Sequence, residues 1–292
     1  MSHLTIQQST LANLQSNLTK MADLQAKMSG GKKVTVPSDD PAAASDMLRL
    51  RGEQRQQTQF ARNADDGNAW LTTVDSALVT TLSTMRRARD LVVQGGNGSL
   101  GDVSREALAA ELEGLRDTLM EQANTSYLGR SVFAGTSDAG VAFTSDYTFT
   151  GKVAGASTSV ERRIGEATTV RVDSDGSAVF GEGDDSVFAM IDDIVTTLRS
   201  GGTTSSALNA FDTRFDAMLT EVASVGARHN QILTAKSTLQ DGLLATKSTL
   251  SGIEDIDLAA IILDIKSQEV AYQGALGAAS KVLQPSLMDY LR

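Results

Sequence analysis

The sequence contains no cysteine, which removes disulfides, thiolate catalysis and cysteine-ligated metals together. Histidine is nearly absent too. His3 and His229 are the two present, and neither stands in a His-x-x-x-His or similar spacing, so no histidine metal site or Ser-His-Asp triad is expected. Basic charge is the minority, with 26 Lys and Arg against 36 Asp and Glu, a formal net charge of −10. Phosphate backbones bind clustered Lys and Arg that release counterions, and no basic stripe occurs here, so no nucleic-acid partner is expected. No apolar run approaches the roughly 18 residues of a membrane span, and no membrane insertion is expected. Met1–Thr10 lacks a basic region followed by an apolar stretch, so a Sec-type leader is not expected either. Aromatic residues make up only 4% of the chain, which favours helix seams built from aliphatic side chains over a compact core with aromatic walls.

What is present is enough for two domains: 292 residues, 41% of them apolar. From the start, apolar residues fall at Leu4, Leu11 and Leu18, and again at Leu14, Met21 and Met28, two interleaved sets of period seven. The far end repeats the device. Leu258, Ile265, Tyr272 and Ala279 form one set, Ile262, Leu276 and Leu283 another, with Glu269 as the break. A narrow seam on an isolated helix needs a partner, so the first and last helices are expected to close into an antiparallel pair.

Between them the pattern changes several times. Gly30-Gly31-Lys32-Lys33 stops the first helix, and Asp40 followed by Pro41 reads as an N-cap and first helical residue. Leu71, Leu78, Met85 and Val92, with Val74 and Ala88, mark a second helix ending at Gly95-Gly96-Asn97-Gly98. A third begins near Asp102, with Leu108, Leu112, Leu115 and Leu119 on one face. From about Gly129 to Gly183 glycines recur, Tyr147-Thr148-Phe149 and Val170-Arg171-Val172 alternate, and Asp175-Gly176 reads as a hairpin turn. Helix resumes at Asp185, and a long return helix runs from about Ser205 to Leu250 along Leu208, Phe211, Phe215, Met218, Val222, Val225, Ile232, Leu239 and Leu243. The expected architecture is mainly α: an elongated antiparallel bundle with paired terminal coiled-coil helices and a small β-rich insert. Its expected parts are 1–40 with 251–292 (terminal coiled coil), 41–128 with 185–250 (bundle) and 129–184 (insert).

Candidate chemistry is sparse. The Asp39-Asp40, Asp65-Asp66, Asp184-Asp185 and Asp192-Asp193 pairs could suggest acid–base carboxylates, but neighbours on a helix do not face each other. Capping and solvated faces explain them. Asp173-Ser174-Asp175-Gly176 begins like a calcium loop yet lacks the later glutamate, so a turn is expected. Trp70 and His229 both read as packing residues. No enzyme, metal or cofactor is expected.

Three segments carry a resemblance. Met28-Ser29-Gly30-Gly31-Lys32-Lys33-Val34 through Pro37-Ser38-Asp39-Asp40-Pro41-Ala42 resembles the junction after the first helix in the bacterial flagellin family. Gly226, Arg228 and Asn230 resemble the family's Gly-x-Arg-x-Asn segment on the return helix, and Ala271–Leu276 with Ser286–Arg292 resembles its C-terminus. Ser-Asp-Asp-Pro followed by Ala is similar to the family's hook–filament junction branch, whereas flagellins usually continue Asp-Asp-Ala-Ala-Gly. The resemblance implies a secreted structural subunit of the flagellum, exported by the type III route and placed at the hook–filament junction. The alternative is a short flagellin forming the filament itself. The implied partners are hook-associated protein 1, flagellin, further copies of the chain in a ring-like helical assembly, and a cytoplasmic export chaperone. The residues expected to build the assembly seam are Leu4, Leu11, Leu14, Leu18, Met21, Leu258, Ile262, Ile265, Tyr272, Leu276 and Leu283, and the family motif comprises Pro37, Ser38, Asp39, Asp40, Pro41, Gly226, Arg228 and Asn230.

Overall fold

A computed structural model describes residues 3–151 and 158–283. Its long helices are α1 (His3–Gly30), α2 (Pro41–Gly95), α3 (Asp102–Ala123), α5 (Val187–Arg199), α6 (Leu208–Glu254) and α7 (Leu258–Leu283). Four short strands, β1 (Ser126–Tyr127), β2 (Arg130–Ser131), β3 (Glu161–Arg163) and β4 (Thr169–Arg171), and the short helix α4 (Gly176–Phe180) lie between α3 and α5. Packing divides the chain into two compact units, Met1–Gln56 with Leu243–Arg292, and Gln57–Gly242. Both divisions fall inside long helices.

The larger unit is built on heptad lines. Leu71, Leu78, Met85 and Val92 of α2 are fully buried, as are Phe211, Met218, Val225 and Ile232 of α6, each seven residues after the last. Leu108, Leu112 and Leu119 of α3 and Phe188, Ile191 and Leu198 of α5 join the same core. Burying a side chain of this size stabilises the fold by about 1.5–3 kcal/mol gross, so these four helices account for most of the unit's cohesion. Ion pairs edge the α3–α5 contact: Arg116 meets Asp192, and Arg199 spans Glu106 and Glu113 at 2.9 and 2.7 Å.

The insert is less regular than its sequence suggests. β1 pairs with β2 and β3 with β4, both antiparallel, and a lone bridge joins Phe143 to Phe149. Its cohesion comes from rings. Phe143 lies within 6 Å of Phe149, Phe180 and Phe188 at centroid distances of 5.2, 5.8 and 5.4 Å, and Phe133 meets Phe180 edge-on at 5.4 Å. The few aromatics of the chain are therefore concentrated here, a distribution that the overall composition conceals. Asp175-Gly176 is not a hairpin turn: Oδ1 of Asp175 accepts the Ser177 amide at 2.9 Å and caps α4. Helix α5 starts two residues later than expected, because Ser186 caps it through the Ala189 amide at 3.1 Å.

In the smaller unit α1 and α7 pair antiparallel, the order of contact running from Asn17 and Gln268 to Lys32 and Asp255. Gly31, with φ +68°, ends α1 in the left-handed region, where glycine carries no Cβ penalty. The chain end of α6 then meets it: the Lys33 amide donates to the Glu254 carbonyl at 2.7 Å.

Candidate assembly surface

The α1–α7 pair buries lines that differ in part from those expected. Leu14 and Met21 of α1 and Ile265 and Tyr272 of α7 are half-buried, and Ala279 is buried. The second line of α1, however, is Thr10, Asn17 and Leu24, and that of α7 is Ile261, Gln268 and Ala275. The expected residues one position further on face outward: Leu11 is 58% exposed and Leu276 is 45%, with Leu18 and Ile262 similarly exposed; Leu258, at the start of the Ile265 line, is exposed as well. An a/d pattern read from leucines alone cannot separate these lines, because each helix carries more apolar positions than one seam uses. The side chains of Leu4, Leu283 and His3, and the segment Ser286–Arg292, lie outside the described residues.

A polar joint closes the pair at its inner end. Lys32 Nζ donates to Asp255 Oδ1 at 2.7 Å and contacts Glu254 Oε1 at 3.2 Å, and Arg51 Nη2 reaches the same Glu254 oxygen at 2.7 Å. Glu254 is only 8% exposed, and two cations compensate its desolvation. The Lys32 ammonium holds the Asp255 carboxyl below its ordinary range, helped by the Ser251 hydroxyl. The signal for this joint was in the sequence as Lys32 and the Glu254-Asp255 pair, but its partners are more than two hundred residues apart.

The family-motif residues fall into three structural groups. Asp39 folds the loop onto itself, its Oδ2 accepting from the Val36 amide at 3.1 Å, the Thr35 amide at 3.0 Å and the Thr35 hydroxyl at 2.9 Å. Those donors, the Val36 amide foremost, hold its pKa below the usual carboxylate range. Asp40 caps α2, its Oδ1 accepting from Ala42 and Ala43 amides at 3.1 and 3.0 Å, and Pro41 stands where a missing N–H costs nothing. Pro37 and Ser38 are exposed turn residues between Val36 and Asp39.

Arg228 works elsewhere, in the larger unit. Its Nη1 donates to the Asp173 carbonyl and its Nη2 to Glu221 Oε1, both at 2.6 Å, while Ser174 Oγ donates to the same Glu221 oxygen at 2.9 Å. It thereby ties the insert to α6. Gly226 has open space where a Cβ would stand, and Asn230 is exposed. His229 is half-buried and bonds Asn68 of α2 at 2.9 Å, the packing role its position suggested.

Among the described residues there is no group of three or more His, Asp or Glu placed to hold a metal ion, and no helix is long and apolar enough to cross a membrane. Asp173 is fully buried, but its carboxylate accepts from Arg171 at 3.0 Å and from the Val160 amide at 2.8 Å, a structural role.

Comparison with known proteins agrees with this architecture. The profile of the bacterial flagellin N-terminal helical region matches residues 1–138. Flagellar hook-associated protein 3 of Salmonella typhimurium is 29% identical, covering 91% of this chain and 90% of its own. A flagellin of Listeria monocytogenes is 25% identical over 95% of this chain and 94% of its own. The solved structure of a flagellar hook-associated protein from Vibrio parahaemolyticus superposes with a TM-score of 0.67 at 22% identity, over 74% of this chain and all of that one. A mainly helical chain with paired ends and a small insert is the architecture shared with these axial flagellar proteins, and residues 1–138 match the N-terminal helical region of bacterial flagellin. Over nearly its whole length the chain is similar to flagellar hook-associated protein 3.

Proposed function

We propose that the chain is a structural subunit of the bacterial flagellum, a junction adaptor joining the hook-associated layer to the flagellin filament. The observation that carries the reading is the outward apolar line on the terminal pair: Leu11 and Leu18 on α1, Leu258, Ile262 and Leu276 on α7. Each such side chain contributes about 1.5–3 kcal/mol gross when a neighbour covers it. A helix pair satisfied along one line and bare along another is suited to a tube in which every subunit is covered by the next. The end-to-end likeness to hook-associated protein 3 supports a junction position, and the weaker likeness to flagellin supports the shared mode of assembly.

In this reading residues 1–40 and 251–292 form the assembling part, 41–128 with 185–250 the bundle, and 129–184 a local insert. The exposed members of the seam contact neighbouring copies, and the half-buried Leu14, Met21, Ile265 and Tyr272 hold the pair that presents them. Hook-associated protein 1 lies on one side of the ring and flagellin on the other, and a cytoplasmic chaperone covers the outward line before export. The role is mechanical and needs no catalytic group.

The test is a deletion strain complemented with this chain. Hooks without filaments and flagellin lost to the medium, both rescued by the chain, support the adaptor role; filaments of normal length in the deletion strain would overturn it. Leu276→Asp separates assembly from folding, since it places a charge where a neighbour must exclude water. That variant keeps its helical signal and fails to be incorporated. The second reading, a short flagellin, is favoured by the Listeria likeness and predicts long filaments from the purified chain alone.

A further inference from the structure

The paired ends could meet along either of two seams, and the one they use is the less apolar. Leu14, Met21, Ile265 and Tyr272 belong to both. The observed pair completes them with Thr10, Asn17 and Leu24 against Ala275, Gln268 and Ile261; turning each helix by about half the 100° that separates successive residues would substitute the residue after each. Leu11, Leu18 and Leu276 would then enter in place of Thr10, Asn17 and Ala275; of the apolar residues only Leu24 would yield to a polar one, Gln25, while Gln268 would yield to Glu269. Apolar burial alone therefore favours the seam that is not formed.

What opposes it is a side-chain amide pair. Gln268 Nε2 donates to Asn17 Oδ1 at 3.1 Å and approaches the Asn17 carbonyl at 3.4 Å, both residues half-buried between apolar neighbours on the shared line. Turning the helices would part the two amides and set Leu18 opposite Glu269. Glu269 now bonds Lys266 at 2.9 Å on the flank of α7, and the turn would carry its carboxylate inward, away from water. A single polar layer is a known means of fixing one pairing of heptad helices among several, at some cost in stability.

We propose that the Asn17–Gln268 pair is a face selector: it fixes which line of the terminal helices is spent on the intramolecular seam, and so keeps Leu11, Leu18 and Leu276 outward for a neighbouring copy. The last clause rests on the assembly reading above; the selection itself does not. The pair acts by positioning, and a leucine pair in its place would be stabler but would remove the discrimination between the two faces.

Because the chain has no cysteine, engineered pairs report the seam without background. Leu24→Cys with Ile261→Cys bridges the observed seam, and both residues line one cleft; Gln25→Cys with Ile262→Cys bridges the turned one. Each pair is placed in the full chain carrying Glu269→Gln, so that the amide pair is the remaining discriminator. With Asn17 and Gln268 intact, the first pair oxidises and the second does not. With Asn17→Ala and Gln268→Ala together, the yield of the 25–262 bond rises several-fold and that of the 24–261 bond falls. An unchanged distribution would overturn the proposal. Loss of both bonds would also overturn it, because the amides would then hold the helices together without choosing a face. The readout is the isolated subunit, so it is independent of assembly: Leu11→Asp or Leu276→Asp subunits that still enter flagella would sink the assembly reading and leave the cross-link pattern untouched.

Discussion

Arg228 of α6 donates to the backbone carbonyl of Asp173 at 2.6 Å, so one side chain on the return helix holds the β4–α4 loop of the insert. Its second arm is committed to Glu221, which also receives Ser174. Arg228→Ala therefore leaves a half-buried carboxylate without its cation and a carbonyl without its donor, at a cost of roughly 1.5–3 kcal/mol. Arg228→Lys recovers part of this, because an ammonium reaches one acceptor well but cannot fork between two. Chemical denaturation of both variants checks the order. Equal stability of the alanine variant and the parent would show that the clamp is dispensable.

Asp40 accepts two amides at the start of α2 while Asp39 accepts three donors from the preceding turn. Asp40→Ala is expected to cost about 1 kcal/mol, and Asp40→Asn or Asp40→Ser much less, since each keeps an acceptor at the cap. Asp39 adds a pH dependence. Its folded pKa is depressed, so its contribution is present above the ordinary carboxylate value, about pH 4, and is lost as pH falls from there through the lower folded value. Amide exchange of Thr35 and Val36 between pH 5 and pH 3 reports this: protection falls on acidification in the parent and is already low in Asp39→Ala.

Periodicity made the helices legible. The fully buried lines of α2 and α6 are spaced by seven in the sequence, and Asp40-Pro41 and Gly31 mark their boundaries through backbone chemistry that acts within a few residues. The terminal seam was legible only in part, because Leu18 and Asn17 are neighbours and hydrophobicity prefers the wrong one; the deciding hydrogen bond comes from Gln268, 251 residues away. The insert hid for a related reason. Phe133, Phe143, Phe149, Phe180 and Phe188 are spread over 56 residues without a period, and nothing local announces that they share one cluster. Arg228 was recognisable as part of a motif, but its partners lie across the fold. Distance along the chain, more than composition, set what could be read.

Gly181 closes α4 with φ +81°, and a Cβ there would stand 2.4 Å from the Asp185 carbonyl oxygen and 2.8 Å from Ser186 Cα. Both obstacles are backbone, which cannot swing aside as a side-chain tip can. Gly181→Ala is thus expected to destabilise the larger unit by about 1–3 kcal/mol, against the small gain that Gly→Ala gives where the backbone permits it. Thermal unfolding would measure it. A variant as stable as the parent would mean that the loop before α5 can move away at little cost.

Tyr147 is held at φ +64° with its hydroxyl donating to Asp192 Oδ2 at 2.5 Å, and Arg116 contacts the other oxygen of the same carboxylate. Burial, and next the bond to Asp192, push the phenol up to about 12 from its ordinary value of 10.0. A raised folded value means that the protonated phenol is the stabilising form. Its contribution is complete below the unfolded value near pH 10 and disappears as pH rises through the folded value. Between these limits the parent loses stability, by about 1 kcal/mol once solvent screening is allowed for, while Tyr147→Phe has no phenol to ionise and is insensitive to this part of the range. Unfolding measured at intervals from pH 8 to about pH 12 separates the two, since the parent starts stabler and the curves converge as the phenolate forms beside Asp192. Parallel curves would show that the Tyr147 hydroxyl does not sense the carboxylate, and the link it makes between the insert and α5 would then rest on ring packing against Phe188, 5.5 Å away.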